Sequence, residues 1–128
     1  MKKETLTVET NSKGTITYRN ADGNFHNTGG PAVVHADGCK WYYINGKRHN
    51  ANGPAVVYSD GSKRYYINDQ LHNSDGPAIV KTDGDKAYCI NGKRLTEAEF
   101  KAWQAEQSAP LHNTTVTIGG VEYTLTAK

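Results

Sequence analysis

Gly30-Pro31-Ala32 returns as Gly53-Pro54-Ala55 and again as Gly76-Pro77-Ala78, a step of 23 residues. Asp37-Gly38, Asp60-Gly61 and Asp83-Gly84 keep the same step, as do Tyr42, Tyr65 and Tyr88, and Ile44, Ile67 and Ile90. His26-Asn27, His49-Asn50 and His72-Asn73 complete the pattern. A fixed period of this length restricts the fold to stacked copies of one small motif, because a single unit cannot bury its apolar face alone. Three units are complete, a partial one precedes them over roughly residues 14–29, and the pattern ends where Leu95 replaces the histidine.

Each unit reads as a β-hairpin. Ala32-Val33-Val34-His35-Ala36 is a short strand, and Cys39-Lys40-Trp41-Tyr42-Tyr43-Ile44 is a return strand rich in aromatic and β-branched residues. Asp37-Gly38 between them predicts a two-residue type I′ loop, and Asn45-Gly46 turns the chain again. Such a loop sets Ala36 opposite Cys39, Val34 opposite Trp41 and Val33 opposite Tyr42. It also sets Lys81 opposite Lys86 and His35 opposite Lys40. Side chains alternate faces along a strand. One face then carries Val33, Tyr42 and Ile44 with their repeats, columns that barely vary, and is expected to be buried. The other carries Val34, Trp41 and Tyr43, then Val57, Arg64 and Tyr66, then Val80, Ala87 and Cys89. A slip of one residue would exchange the two faces.

The expected fold is mainly β: an antiparallel meander, solenoid-like, of 23-residue hairpin repeats with one short C-terminal helix and a final hairpin. At 128 residues a single domain is the natural count. Residues 1–19 form a capping hairpin, with Leu6, Val8, Ile16 and Tyr18 flanking Asn11-Ser12-Lys13-Gly14; residues 20–95 hold the repeats. Thr96 and Glu99 form a capping box, Leu95 and Phe100 a hydrophobic staple, and Phe100 and Trp103 share one helix face, so a helix is expected over 96–107, ending before Pro110. Residues 114–126 form the last hairpin around Gly119-Gly120. The helix is expected to pack across the last repeat.

Several functional classes are disfavoured. Hydrophobic residues are 36% of the chain, mean hydropathy is −0.74, and apolar runs of about four residues fall far short of the ~20 a membrane span needs. No apolar segment follows the charged Met1-Lys2-Lys3-Glu4 start, which points to the cytoplasm. Fifteen Lys and Arg against thirteen Asp and Glu leave only +2. Cys39 and Cys89 lie fifty residues apart without a metal or redox spacing and read as free thiols. The histidine column cannot share a metal, because equivalent residues two strands apart are separated by roughly 10 Å while zinc ligands sit ~2 Å from the ion. Its expected role is to satisfy turn backbone groups between repeats. No acid–base or nucleophile motif appears, so neither catalysis nor a cofactor is expected.

The suggestive feature is basic and aromatic. Lys40, Lys63 and Lys86 form one column, Lys47-Arg48 and Lys93-Arg94 a second row, and Trp41, Tyr43, Arg64 and Tyr66 lie near them on the other face. An exposed aromatic patch of Trp41, Tyr43 and Tyr66, rimmed by Lys40, Lys63 and Arg64, has the anatomy of a protein-binding hot spot. The alternative is that the C-terminal helix covers it. A cation every ~10 Å could instead track a phosphate backbone or hold an anionic nucleotide.

The unit Gly-Pro-Ala-Val-Val-x-x-Asp-Gly-x-Lys-x-Tyr-Tyr-Ile-Asn-Gly-Lys-x-His-Asn, over roughly residues 20–95, resembles a hairpin repeat of bacteriophage and giant-virus proteins. It is similar, more loosely, to MORN-type repeats and their bacterial antitoxin-like variants, although the Tyr-x-Gly centre of MORN units is missing. The resemblance implies a small phage protein whose sheet is a binding platform, in the form of an anti-CRISPR or other counter-defence inhibitor that blocks a host bacterial protein or ribonucleoprotein complex. Trp41-Tyr42-Tyr43-Ile44-Asn45-Gly46 is also similar to the aromatic stretch of choline- and glucan-binding wall repeats, but Arg64, Ala87 and Cys89 replace their partner aromatics. Edge strands at each end offer a route to β-augmentation or a homo-oligomer.

Overall fold

The structure is a computed structural model, which describes residues 5–108 and 114–125. Pro110 and residue 126, which the expected helix stop and last hairpin include, lie outside the described residues, as does the start of the N-terminal hairpin. The chain divides into two compact units, Met1–Thr96 and Glu97–Lys128.

The first unit is built of short strands. β1 (Thr7–Thr10) and β2 (Ile16–Arg19) precede β3 (Val33–Val34), β4 (Lys40–Trp41), β5 (Tyr43–Ile44) and β6 (Lys47–Arg48). The next repeat supplies β7 (Val56–Val57), β8 (Lys63–Arg64), β9 (Tyr66–Ile67) and β10 (Gln70–Leu71), and the third β11 (Ile79–Val80), β12 (Lys86–Ile90) and β13 (Lys93–Leu95). One antiparallel sheet runs in the order β1-β2-β3-β4-β7-β8-β11-β12-β13, while β5 pairs with β6 and β9 with β10 as separate ribbons. Every repeat therefore holds two hairpins rather than one, and the return strand divides at Tyr42 and at Tyr65 between the sheet and the ribbon.

The two turns differ in kind. Asn45-Gly46 and Asn91-Gly92 have both residues at positive φ (49° and 81°, 50° and 81°), the type I′ turn their sequence predicts. The Asp-Gly loops are three residues long. The His35 amide donates to the Cys39 carbonyl and the Gly38 amide to the His35 carbonyl, and of the loop residues 36–38 only Gly38 has a positive φ, 99°. This is a type I turn closed by a glycine bulge. The Asp37 carboxylate accepts the Cys39 amide at 2.9 Å, and Asp60 and Asp83 repeat this with Ser62 and Asp85.

The extra loop residue corrects the expected register. Val33 faces Trp41 and Val34 faces Lys40, one position away from the two-residue reading. Likewise Val80, not Lys81, faces Lys86, and Cys39, not Lys40, is opposite His35. The return strand is turned over accordingly: Trp41 and Arg64, not Tyr42 and Tyr65, share a face with Val33 and Val56, which are buried as expected. One cross-strand row reads Val33, Trp41, Val56, Arg64, Ile79, Ala87, and the other Ile16, Val34, Lys40, Val57, Lys63, Val80, Lys86.

Burial follows the first row. Ala55, Val56 and Tyr66 form the core cluster, with Trp41, Tyr42, Tyr58 and Leu71 packed against it. Ala32, Ala55 and Ala78 are fully buried because each joins two repeats: the Ala55 amide donates to the Arg64 carbonyl and its carbonyl accepts the Tyr42 amide. No larger side chain fits a site enclosed in this way. The columns Tyr42/Tyr65/Tyr88 and Ile44/Ile67/Ile90, expected inside, are only half-buried.

In the second unit, α1 (Glu97–Ser108) stands within a residue of the expected bounds and stacks Phe100 on Trp103 at 6.0 Å between ring centroids. β14 (Thr114–Ile118) and β15 (Val121–Leu125) pair around Gly119-Gly120, as their sequence predicts.

Candidate functional site

The strand register separates the expected site residues into two groups. Lys40, Lys63 and Lys86 are exposed and occupy one cross-strand row, with half-buried Val57 between the first two and Val80 between the last two. Equivalent strands are two apart, so the ammonium stems are spaced by roughly 10 Å. Lysine stems lying beside valine side chains cover them while the charge stays in water.

Trp41 and Arg64 adjoin Lys40 and Lys63 in the chain and so project from the opposite face. They do not form an open aromatic patch. Tyr66 is 6% exposed and belongs to the core. Trp41 stacks on Tyr43 at 6.4 Å and meets Tyr58 edge-on at 6.2 Å, and Arg64 lies over Tyr58. Burial also pushes the Tyr43 hydroxyl above its ordinary range. These rings support the sheet.

The histidine column links repeats. Nδ1 of His26, His49 and His72 accepts the backbone N–H of Asn45, Asn68 and Asn91, at 2.9, 3.1 and 3.0 Å. Each donor opens the β-turn of the following repeat, which is the linking role the spacing suggests. Leu95 falls where no further repeat needs a link. The asparagines act locally: Nδ2 of Asn27, Asn50 and Asn73 donates to the carbonyls of Pro31, Pro54 and Pro77, and their Oδ1 atoms accept the amides of Gly29, Asn52 and Asp75. This clamp closes the loop that leads into each Gly-Pro-Ala onto its proline carbonyl.

Between successive clamped loops the surface opens into grooves, which the sequence reading missed. One of about 680 Å³ is lined by Tyr42, Ile44 and His49. Another of about 750 Å³ is lined by Tyr65, Ile67 and His72, the same columns one repeat later. Asn50, Ala51 and Asn52 line both grooves. The sequence signal for them is the invariance of these columns within the chain, a pattern that burial would equally produce.

Cys39 and Cys89 are free thiols. Cys89 is 3% exposed and burial pushes its thiol up, away from the thiolate. Among the described residues no group of three His, Cys, Asp or Glu side chains could hold a metal ion, and no helix is long and apolar enough to cross a membrane.

Fold and surface together define a mainly β, antiparallel hairpin-repeat protein with a periodic face. No protein-family model matches the chain, and no curated protein or solved structure does either.

Proposed function

We propose that this chain is a non-enzymatic binding protein that engages a partner protein through the sheet face carrying Lys40, Lys63 and Lys86. The observation that carries this reading is the register, which aligns three exposed cations in one row and sets half-buried valines between them. Charged groups around apolar side chains suit a protein interface, in which charge sets orientation and approach rate and apolar contact supplies affinity. Asp37 and Asp60 stand three residues before Lys40 and Lys63, and the amides of Cys39 and Ser62 hold their carboxyls below the usual range. A mixed-charge surface with a net +2 is a poor track for phosphates. The resemblance to phage hairpin repeats supports the finer reading, a small cytoplasmic inhibitor that blocks a bacterial host protein.

The test is capture from bacterial lysate, with and without nuclease, by the wild type and by the triple variant Lys40→Glu/Lys63→Glu/Lys86→Glu. The expected result is one stoichiometric protein that survives nuclease and is lost from the triple variant, whose circular dichroism matches the wild type. Capture that disappears with nuclease transfers the function to nucleic-acid binding, the reading favoured by the row's regular spacing. Undiminished capture by a folded triple variant removes the lysine row from the site.

A further inference from the structure

The tandem grooves form a second periodic feature, and their chemistry is specific. Each combines a tyrosine ring, an isoleucine and a histidine whose ring is already oriented. Nδ1 of His49 and of His72 accepts a backbone N–H, so in the neutral ring the proton sits on Nε2, which is a donor. The asparagine side chains are occupied by their own loops. A ligand therefore meets an aromatic ring, an aliphatic side chain and N–H and O–H donors, and in the 750 Å³ groove the Asp75 carboxylate as well. This combination suits a partner that offers rings and unpaired carbonyls.

Spacing narrows the partner further. The grooves recur every two strands, roughly 9–10 Å. A polyproline II helix completes a three-residue turn in about 9.3 Å, has no internal hydrogen bonds and leaves its carbonyls free to accept. Laid across the strands, such a helix would bring the same face to successive grooves. Aromatic-lined grooves with hydrogen-bond donors are the general means of reading this conformation. Charge adds a preference: Val80 lines the 750 Å³ groove and stands between Lys63 and Lys86 in the sheet row.

We propose that the tandem grooves bind a proline-rich peptide in the polyproline II conformation, at least two turns long, with acidic side chains toward the lysine row. This rests on the reading of the chain as a protein-binding protein and names the chemistry of the segment it takes.

The probe is a labelled peptide of three Glu-Pro-Pro triplets, followed by fluorescence anisotropy and by amide shifts of the wild-type chain. Controls are a single triplet, three Glu-Gly-Ser triplets and a soluble β-glucan oligosaccharide. The expected result is binding that weakens roughly tenfold or more for the single triplet, which reaches one groove only. A similar loss, about tenfold, is expected for the flexible control, which must be ordered on binding. The shifts should centre on Tyr42, Ile44 and His49 in one groove and on Tyr65, Ile67 and His72 in the other, and Tyr65→Ala should weaken binding while His35→Ala, outside the grooves, should not. Absent binding, equal binding of the flexible control, shifts elsewhere, or displacement by the oligosaccharide overturns the proposal. If the peptide fails while lysate capture still depends on the lysine row, this inference alone falls; if both fail, the reading beneath it falls as well.

Discussion

Asp69 occupies the turn position that Gly46 and Gly92 fill in the other repeats, at φ 70°. A residue with a Cβ pays roughly 1–2 kcal/mol there, less for Asp. Its carboxylate offsets the strain by accepting from Nε and the backbone N–H of Arg48 in the preceding repeat, while the Arg48 guanidinium stacks over Tyr66 at 4.1 Å. The Arg48 hydrogen bond holds the Asp69 carboxyl below the usual range. A lowered folded value means that the pair contributes stability above the unfolded range, near ~3.9, and loses it as pH falls through the folded value. Both side chains are partly exposed, 32% and 47%, so the pair is worth only about 0.2–1 kcal/mol. Asp69→Gly is therefore expected to match the wild type within about 0.5 kcal/mol at neutral pH and to gain on it as pH falls below 3.9. Urea titrations at both pH values check this, and a variant that loses ground on acidification contradicts it. The histidine links give a second comparison. His26 is 5% exposed and His49 half-buried, so His26→Ala strands a better-shielded Asn45 amide than His49→Ala does at Asn68. The expected costs are about 2 and about 1 kcal/mol; the reverse order would remove burial as the explanation.

At the scale of the element, the loop decides which residues share each side of the sheet. Val57 and Lys63 are direct cross-strand neighbours, and opposed residues on one face place their Cβ atoms about 4.5–5.5 Å apart. A Val57→Cys/Lys63→Cys variant should form a cross-strand link under mild oxidation, while Val57→Cys/Arg64→Cys, on opposite faces, should not. A link in the second pair would restore the two-residue loop. The hairpins, the Asn-Gly turns, the helix and the Gly-Gly hairpin were legible in the sequence because each has a local chemical cause, a φ requirement or a capping pattern. The register was not, because Asp-Gly satisfies both loop lengths: in one both residues need positive φ, in the other only the glycine does. Gly61 shows the latter, with φ 93° and 3.7 Å of room to the Thr82 methyl for an added Cβ. That one residue moved Trp41 and Arg64 to the core side, and it made the tyrosine and isoleucine columns into groove walls. The lysine column survived because a shift common to all repeats leaves the column intact.

At the scale of the molecule, the repeat unit behaves as a one-dimensional array in which each motif bonds to its neighbours. The Ala55 carbonyl to the Tyr42 amide, His49 to the Asn68 amide and the Gly92 amide to the Leu71 carbonyl all join one repeat to the next. Such contacts make a whole repeat removable. Deleting residues 50–72 joins His49 to Asn73, so the His-Asn step, the clamp on Pro77 and the spacing to the next turn are all retained. His49 would then meet the Asn91 amide that His72 now serves, and Ala78 would meet the Tyr42 amide that Ala55 now serves. The shortened chain is expected to fold cooperatively with a smaller urea m-value, because less surface is exposed on unfolding. It would keep Lys40 and Lys86 as adjacent members of the row but lose Lys63 and one groove, so capture through the lysine row should weaken and longer proline-rich peptides should lose their advantage over shorter ones. A deletion variant that cannot fold would show that the middle repeat, which holds the buried Ala55, Val56 and Tyr66, acts as a unique nucleus rather than as one interchangeable link.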